Sequence, residues 1–321
     1  MVLTPEETRG VWSLIPACAT PNGGDLEARD TVDVDKLAAM VERLIQAGVN
    51  GIATTGTLGE GHTLLWDEHK KLIQTVVEVA RKRVPVFTGT TSLNTRRTVE
   101  KTRWAIDAGA DGVLNGVPMW LPPSWQNAVQ YYEDIAAACP NMAIMVYHNP
   151  PVFRVTIPPA GWKRLAQVRN VVAVKQTVTE LRHWLGVRYA VGDRITILVS
   201  DNVAYPTAMF GAGGVWSTRA SGDPAPVLRL WEACSRGDWA RAEAIQQDIC
   251  AAWPPVTIEE FHTYDTPLMK RIIDLVSDGQ AGPTRRPFVH LPENVEKAAQ
   301  IGAEKWKALA AKYRQPLYAS V

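Results

Sequence analysis

Lys175 stands fifth in VVAVKQTV (171–178), a run that otherwise reads as a buried strand. Burying an unpaired ammonium is opposed by lost solvation, so such a lysine is paired, held neutral or used covalently. Desolvation lowers a buried lysine's pKa by up to about 3–5 units. The amine is then partly neutral near pH 7 and can attack a carbonyl to form a Schiff base. Two other stretches offer complementary chemistry. In TTGTLGEG (54–61), glycines such as Gly56 let backbone N–H groups approach a ligand and Thr57 adds a hydroxyl, which suits a small carboxylate. In YHNPP (147–151), Tyr147 is a candidate acid or base if its free pKa of about 10 is tuned or relayed. Each has a plainer alternative: a lysine paired across a barrel, a turn capped by Thr57, a packed tyrosine. Cradle, tyrosine and lysine at three strand ends together favour the chemistry.

The elements that must position these residues recur along the chain. Short β-branched runs occur at 10–18, 50–56, 84–91, 111–118, 142–150, 171–178, 195–201 and 213–221, with helical patterns between them. In VDVDKLAAMVERLIQAG, Leu37, Met40, Val41, Leu44 and Ile45 share a face, and Gly48 marks its end. Continuous apolar strands alternating with helices predict a parallel sheet covered by helices. Eight such units predict an α/β fold, a (β/α)8 TIM barrel over 1–223, with active residues at the C-terminal strand ends. The stretch ATPNGG (19–24) lacks the glycine spacing of a dinucleotide-binding turn. Residues 224–321 carry no strand pattern and predict C-terminal helices, roughly 224–253, 258–278 and 292–313, packed on the barrel.

Strand eight adds FGAGG (210–214), whose glycines serve either phosphate binding or close packing, and Arg219, either an anion reader or an ion-pair partner. Ser200, Asp201 and Asn202 end strand seven, and His148 points outward if neighbours on its strand alternate faces.

Composition narrows the function classes. The 321 residues are 46% hydrophobic and 21% charged, with 34 basic and 33 acidic residues and a net charge of +1. Without a block of like charge, neither nucleic acid nor a membrane surface is an expected partner. The first residues, MVLTPEETRG, lack a signal-peptide core. Four scattered cysteines without a Cys-x-x-Cys pattern predict a reduced, cytoplasmic protein. The six histidines form no zinc-type pattern, so no metal is expected.

GTLGE (56–60), the tyrosine of YHNP (147–150) and the lysine of VAVK (172–175) resemble the N-acetylneuraminate lyase and dihydrodipicolinate synthase superfamily. The resemblance spans nearly the whole chain, including the helical tail and GPTRRP (282–287). Within it, GVPMW (116–120), WSTRAS (216–221) and the twelve tryptophans are similar to the hydratase-aldolases of aromatic hydrocarbon catabolism, which turn ortho-substituted benzylidenepyruvates into an aromatic aldehyde and pyruvate. The resemblance implies Lys175 as the Schiff-base lysine, Tyr147 as the proton-transfer residue, and Thr57 as carboxylate binder linked to Tyr147. It also implies a homotetramer and no cofactor beyond the imine on Lys175. Where relatives often carry a second hydroxyl this chain has Leu58, whose N–H must act alone. Met119-Trp120 and Val152 replace the tyrosine pair and arginine of dihydrodipicolinate synthases, which disfavours a biosynthetic role.

The expected reaction is imine formation on an arylidene pyruvate, water addition, then retro-aldol cleavage with Tyr147 taking the hydroxyl proton. Trp120, Asn149 and Trp216 are expected to form the aryl pocket and place water. Arg219 or Arg154 is expected to meet an ortho carboxylate, which leans the substrate toward the carboxy over the hydroxy compound. Competing readings are a sugar-acid lyase using Ser200, Asp201 and Asn202, a non-catalytic pyruvate-binding barrel, and a phosphate-binding isomerase using the GAGG loop.

Overall fold

A computed structural model describes residues 2–318. Eight parallel strands close a barrel in chain order: β1 (Gly10–Leu14), β2 (Gly51–Thr54), β3 (Val86–Gly89), β4 (Gly112–Asn115), β5 (Ala143–His148), β6 (Val171–Gln176), β7 (Thr196–Ser200) and β8 (Gly214–Ser217). Between them run α1 (Val34–Ala47), α2 (Trp66–Ala80), α3 (Thr95–Asp107), α4 (Trp125–Ala138), the short α5 (Pro150–Phe153), α6 (Pro159–Leu165), α7 (Leu181–Val191) and α8 (Ala204–Ala208). The chain continues through α9 (Ala225–Arg236), α10 (Trp239–Ala251), α11 (Ile258–Val276) and α12 (Glu293–Lys312). This is the (β/α)8 barrel expected from the alternating pattern, with helices after it.

Local chemistry sets the element ends. In α1, Asp33 caps the start by accepting the Lys36 N–H, and Gly48 ends it at φ 92°, a conformation glycine adopts without a side-chain penalty. The predicted helix 224–253 is two helices: Gly237 closes α9 in the left-handed region, and Asp238 caps α10. Inside the barrel, Trp12 and Phe87 meet edge to face at 4.9 Å. Each ring lies over a glycine of the next strand: a Cβ on Gly51 would fall 2.6 Å from Trp12, and one on Gly112 2.4 Å from Phe87. Inward residues repeat every second position, so these rings fill the barrel one layer below Leu14, Ala53 and Leu114. The space above that layer stays open.

The C-terminal helices share cores with the barrel. Trp306 and Leu309 of α12 join the cluster built from the strands, while Leu268, Met269, Ile272 and Ile273 of α11 pack with α1 and α2. Helix α11 kinks at Tyr264, where φ is −117° and ψ 19°. Pro267, three residues on, has no N–H to give and its ring crowds the preceding turn, which accounts for the bend.

Candidate active site

The ends of β2, β5, β6 and β8 open into one cavity of about 630 Å3. Lys175 and Tyr147 are register partners on β6 and β5, so both side chains point inward. Lys175 is 3% exposed, and its Nζ lies 4.0 Å from the Tyr147 ring centre and 3.7 Å from that of Trp216. Among the described residues no carboxylate is within ion-pair distance of it. Burial pushes its pKa below the usual lysine value, while Tyr147 and Asp265 pull the other way. The amine is thus held between two aromatic faces, with its neutral form favoured over that of a surface lysine. Trp216 is fixed by its indole N–H, which donates to the Gln176 carbonyl at 3.0 Å.

Tyr147 is wired to the strand-two loop. Its hydroxyl lies 3.1 Å from Thr57 Oγ1, and Asn149 Nδ2 donates to it at 3.3 Å. Among the described residues the N–H groups of Thr57 and Leu58 have no hydrogen-bond acceptor, which leaves two donors beside a hydroxyl for an anion. The glycines of this loop serve different ends. A Cβ on Gly59 would lie 2.4 Å from the Thr55 nitrogen, and one on Gly61 2.1 Å from the Thr55 oxygen, so both allow the loop to fold on itself. A Cβ on Gly56 would meet only ordinary contacts, 3.5 Å from Leu114 and 4.0 Å from Tyr147, and would point into ligand space. The Glu60 carboxylate turns away from the cavity. It is buried against Lys270 and Arg285, accepting at 2.7 Å from the Arg285 N–H and at 2.8 Å from its guanidinium.

Gly56, Leu58, Asn149, Ser200 and Trp216 all line the cavity with Lys175, Tyr147 and Thr57. Three expected residues do not: Trp120, Arg154 and Arg219. Trp120 is 77% exposed on the β4–α4 loop, away from the cavity, and its carbonyl accepts from the Arg154 guanidinium at 3.1 Å. Arg219 is buried behind the cavity wall, 3.2 Å from Asp201, donating to Asn202 Oδ1 at 2.8 Å and sandwiched between Trp253 and Trp306. Its charge is spent fastening the C-terminal helices. Neither Arg154 nor Arg219 lines the cavity. Gly214 packs on β1, where a Cβ would come within 2.2 Å of the Gly10 oxygen, so close packing accounts for that part of FGAGG. His148 faces outward as alternation requires, stacked on His183 and edge-on to Trp162.

One wall comes from a region in which the sequence reading sought no site residues. Trp253 and, from α11, Ile258, Phe261, His262 and Asp265 close the barrel mouth. Asp265 is half-buried, and among the described residues its carboxylate makes neither a hydrogen bond nor an ion pair. Burial pushes its pKa up to about 6, against the opposing pull of Lys175 and His262. A sequence signal existed: Phe261, Asp265, Leu268 and Ile272 follow a helical stripe in which Asp265 is the one acid.

The family model for the dihydrodipicolinate synthetase family matches residues 13–302. The chain belongs to that family. It is 38% identical to the trans-O-hydroxybenzylidenepyruvate hydratase-aldolase of Pseudomonas putida, over 97% of this chain and 96% of that one. It is 31% identical to the trans-2'-carboxybenzalpyruvate hydratase-aldolase of Nocardioides sp. (strain KP7), again over 97% and 96%. The solved structure of PhdJ bound to a substrate intermediate superposes with a TM-score of 0.94 at 31% identity, covering 97% of this chain and 99% of PhdJ. The chain is a lyase of this family, and among its described residues no helix is long and apolar enough to cross a membrane.

Proposed function

We propose that this protein is a Schiff-base hydratase-aldolase that cleaves an ortho-substituted benzylidenepyruvate to an aromatic aldehyde and pyruvate. The observation that carries the proposal is Lys175 buried between the Tyr147 and Trp216 rings, beside Thr57 and the free N–H groups of its loop. Lys175 attacks the ketone while Thr57 and the N–H groups of Thr57 and Leu58 hold the carboxylate. Water adds to the aryl-bearing carbon of the conjugated iminium. Tyr147 takes the proton of the new hydroxyl, the bond between the former alkene carbons breaks into the iminium, and aldehyde leaves. The enamine is protonated and hydrolysed to pyruvate, so no cofactor is needed. Trp216, Trp253, Phe261 and Val152 offer flat apolar surface for the aryl ring, which favours this substrate over a sugar acid.

The ortho group on this reading is a hydroxyl. The two arginines that favoured a carboxylate are engaged elsewhere, and Asp265 in the cavity wall repels an anion. The higher identity to hydroxybenzylidenepyruvate enzymes supports the same choice. Loss of enone absorbance tests it: ortho-hydroxybenzylidenepyruvate is expected to be consumed with kcat/KM at least about tenfold above the carboxy compound, a difference of ~1.4 kcal/mol, and Lys175→Ala to be inactive. Turnover surviving in Lys175→Ala, or no decay with either enone, overturns the proposal. A cytoplasmic homotetramer belongs to the same reading, with the exposed Trp120 and Leu121 as apolar surface for a neighbouring copy; a monomer in sedimentation speaks against it.

A further inference from the structure

Resting on the hydratase-aldolase reading, we infer that Asp265 is the general base that activates water for the hydration step. The reaction takes protons at two places. Cleavage needs one removed from the adduct's hydroxyl, and hydration needs one removed from water as it joins the aryl-bearing carbon. Tyr147 is placed for the first: its hydroxyl is tied to Thr57 and Asn149 beside Lys175. Several other polar groups of the cavity are engaged, and the hydroxyls of Thr179 and Thr218 are too weakly basic to take a proton from water. Asp201 accepts from Ser217 at 2.6 Å and pairs with Arg219 at 3.2 Å, Ser200 bonds Asp201, and Thr177 donates to the His148 carbonyl. Asp265 is the remaining carboxylate of the cavity, and among the described residues it has no partner. It enters from α11, a different wall from the strand that carries Tyr147, and the bend at Tyr264 lies immediately before it.

The water oxygen forms a bond to the aryl-bearing carbon while Asp265 takes one of its protons. The pair of the alkene moves toward the iminium, giving a neutral enamine. The carbon next to the former iminium carbon then takes up a proton, which restores the iminium, and Asp265 releases its own to solvent. Net, one water has been added and nothing oxidised. The charges felt at Asp265 are those of Lys175 from β6 and His262 on its own helix, and Tyr147 from β5 and the already paired Asp201 after β7 share the cavity with it. The pKa of about 6 leaves most Asp265 ionised at neutral pH, in the range where a base is effective.

The experiment compares the two partial reactions in the full-length protein. Enone consumption reports hydration followed by cleavage, while cleavage of the synthetic 4-aryl-4-hydroxy-2-oxo acid bypasses hydration. In Asp265→Asn the ratio of enone consumption to adduct cleavage is expected to fall about 100-fold. Borohydride trapping of pyruvate on Lys175 shows that the variant is folded and forms the imine. Wild-type kcat/KM for the enone rises with pH through about 6, as the base deprotonates; that limb disappears in Asp265→Asn and stays in His262→Gln. Equal losses in both partial reactions, no loss in either, or a limb that follows His262 overturns the role of Asp265 alone. A wild-type protein that traps pyruvate yet consumes no enone overturns the hydratase-aldolase reading with it.

Discussion

At the scale of single residues, the proposed mechanism divides the chemistry between Lys175 and Tyr147 on adjacent strands. Lys175 is buried between two rings, where lost solvation favours its neutral amine, whereas the Tyr147 hydroxyl is hydrogen-bonded to Thr57; the proposal uses the first as nucleophile and the second to move protons. Their separation can be measured. Tyr147→Phe is expected to lower kcat about 100-fold or more while pyruvate is still trapped on Lys175 by borohydride. Loss of trapping in that variant would move Tyr147 into imine formation. Gly56 makes a different claim. Its absent Cβ clears ligand space rather than relieving backbone crowding, so Gly56→Ala is expected to raise KM about tenfold with an unchanged melting temperature. A lowered melting temperature would instead show that the loop itself needs glycine there. The sequence placed Lys175, Tyr147 and Thr57 at or just after strand ends, and the structure brings the three together in one cavity. Trp120 and Arg219 misled because residue type suggests a role, while only packing shows where a side chain goes.

At the scale of elements, the motif around the cradle does two jobs. Thr57 and Leu58 face the cavity, while Glu60, two residues on, reaches the other way to Lys270 of α11 and Arg285 of the loop that follows. This triad ties the strand-two loop to the C-terminal segment whose kinked helix closes the cavity. Removing the shared anion leaves two buried cations facing each other. Glu60→Ala is therefore expected to cost about 3–5 kcal/mol in denaturant unfolding. A cost under ~1 kcal/mol would mean water reaches the triad. Apolar runs and punctuating glycines made all eight strands legible in order, because period and length distinguish a buried parallel strand from its covering helices. The α11 wall was hidden for a physical reason. Its place over the barrel mouth depends on a bend and a long-range ion triad, and neither is a local pattern. Asp265 was visible as one acid in an apolar stripe, but only the cavity on its far side gives that position meaning.

At the scale of the whole molecule, the cavity is held open by cores that bury their apolar residues elsewhere, and it carries groups that folding disfavours. Asp265 is one. An acid whose folded-state pKa lies near 6, against about 3.9 for an unfolded aspartate, binds its proton more tightly in the native state. Between those two values the native state holds more protons than the unfolded one, so stability falls as pH rises from about 4 to about 6. Above that window the full cost is present; below it the cost is gone. Replacing the carboxylate with a neutral isostere removes the cost. Asp265→Asn is therefore expected to melt above the wild type at pH 7.5, with the gap closing by pH 4, while hydration is lost. Lys175 pulls the Asp265 pKa down, so Lys175→Met should shift the pH dependence of the Asp265→Asn difference upward. A variant that is less stable at pH 7.5 would mean that Asp265 is held by bonds that stabilise the native fold, and the exchange of stability for chemistry at this position would be wrong.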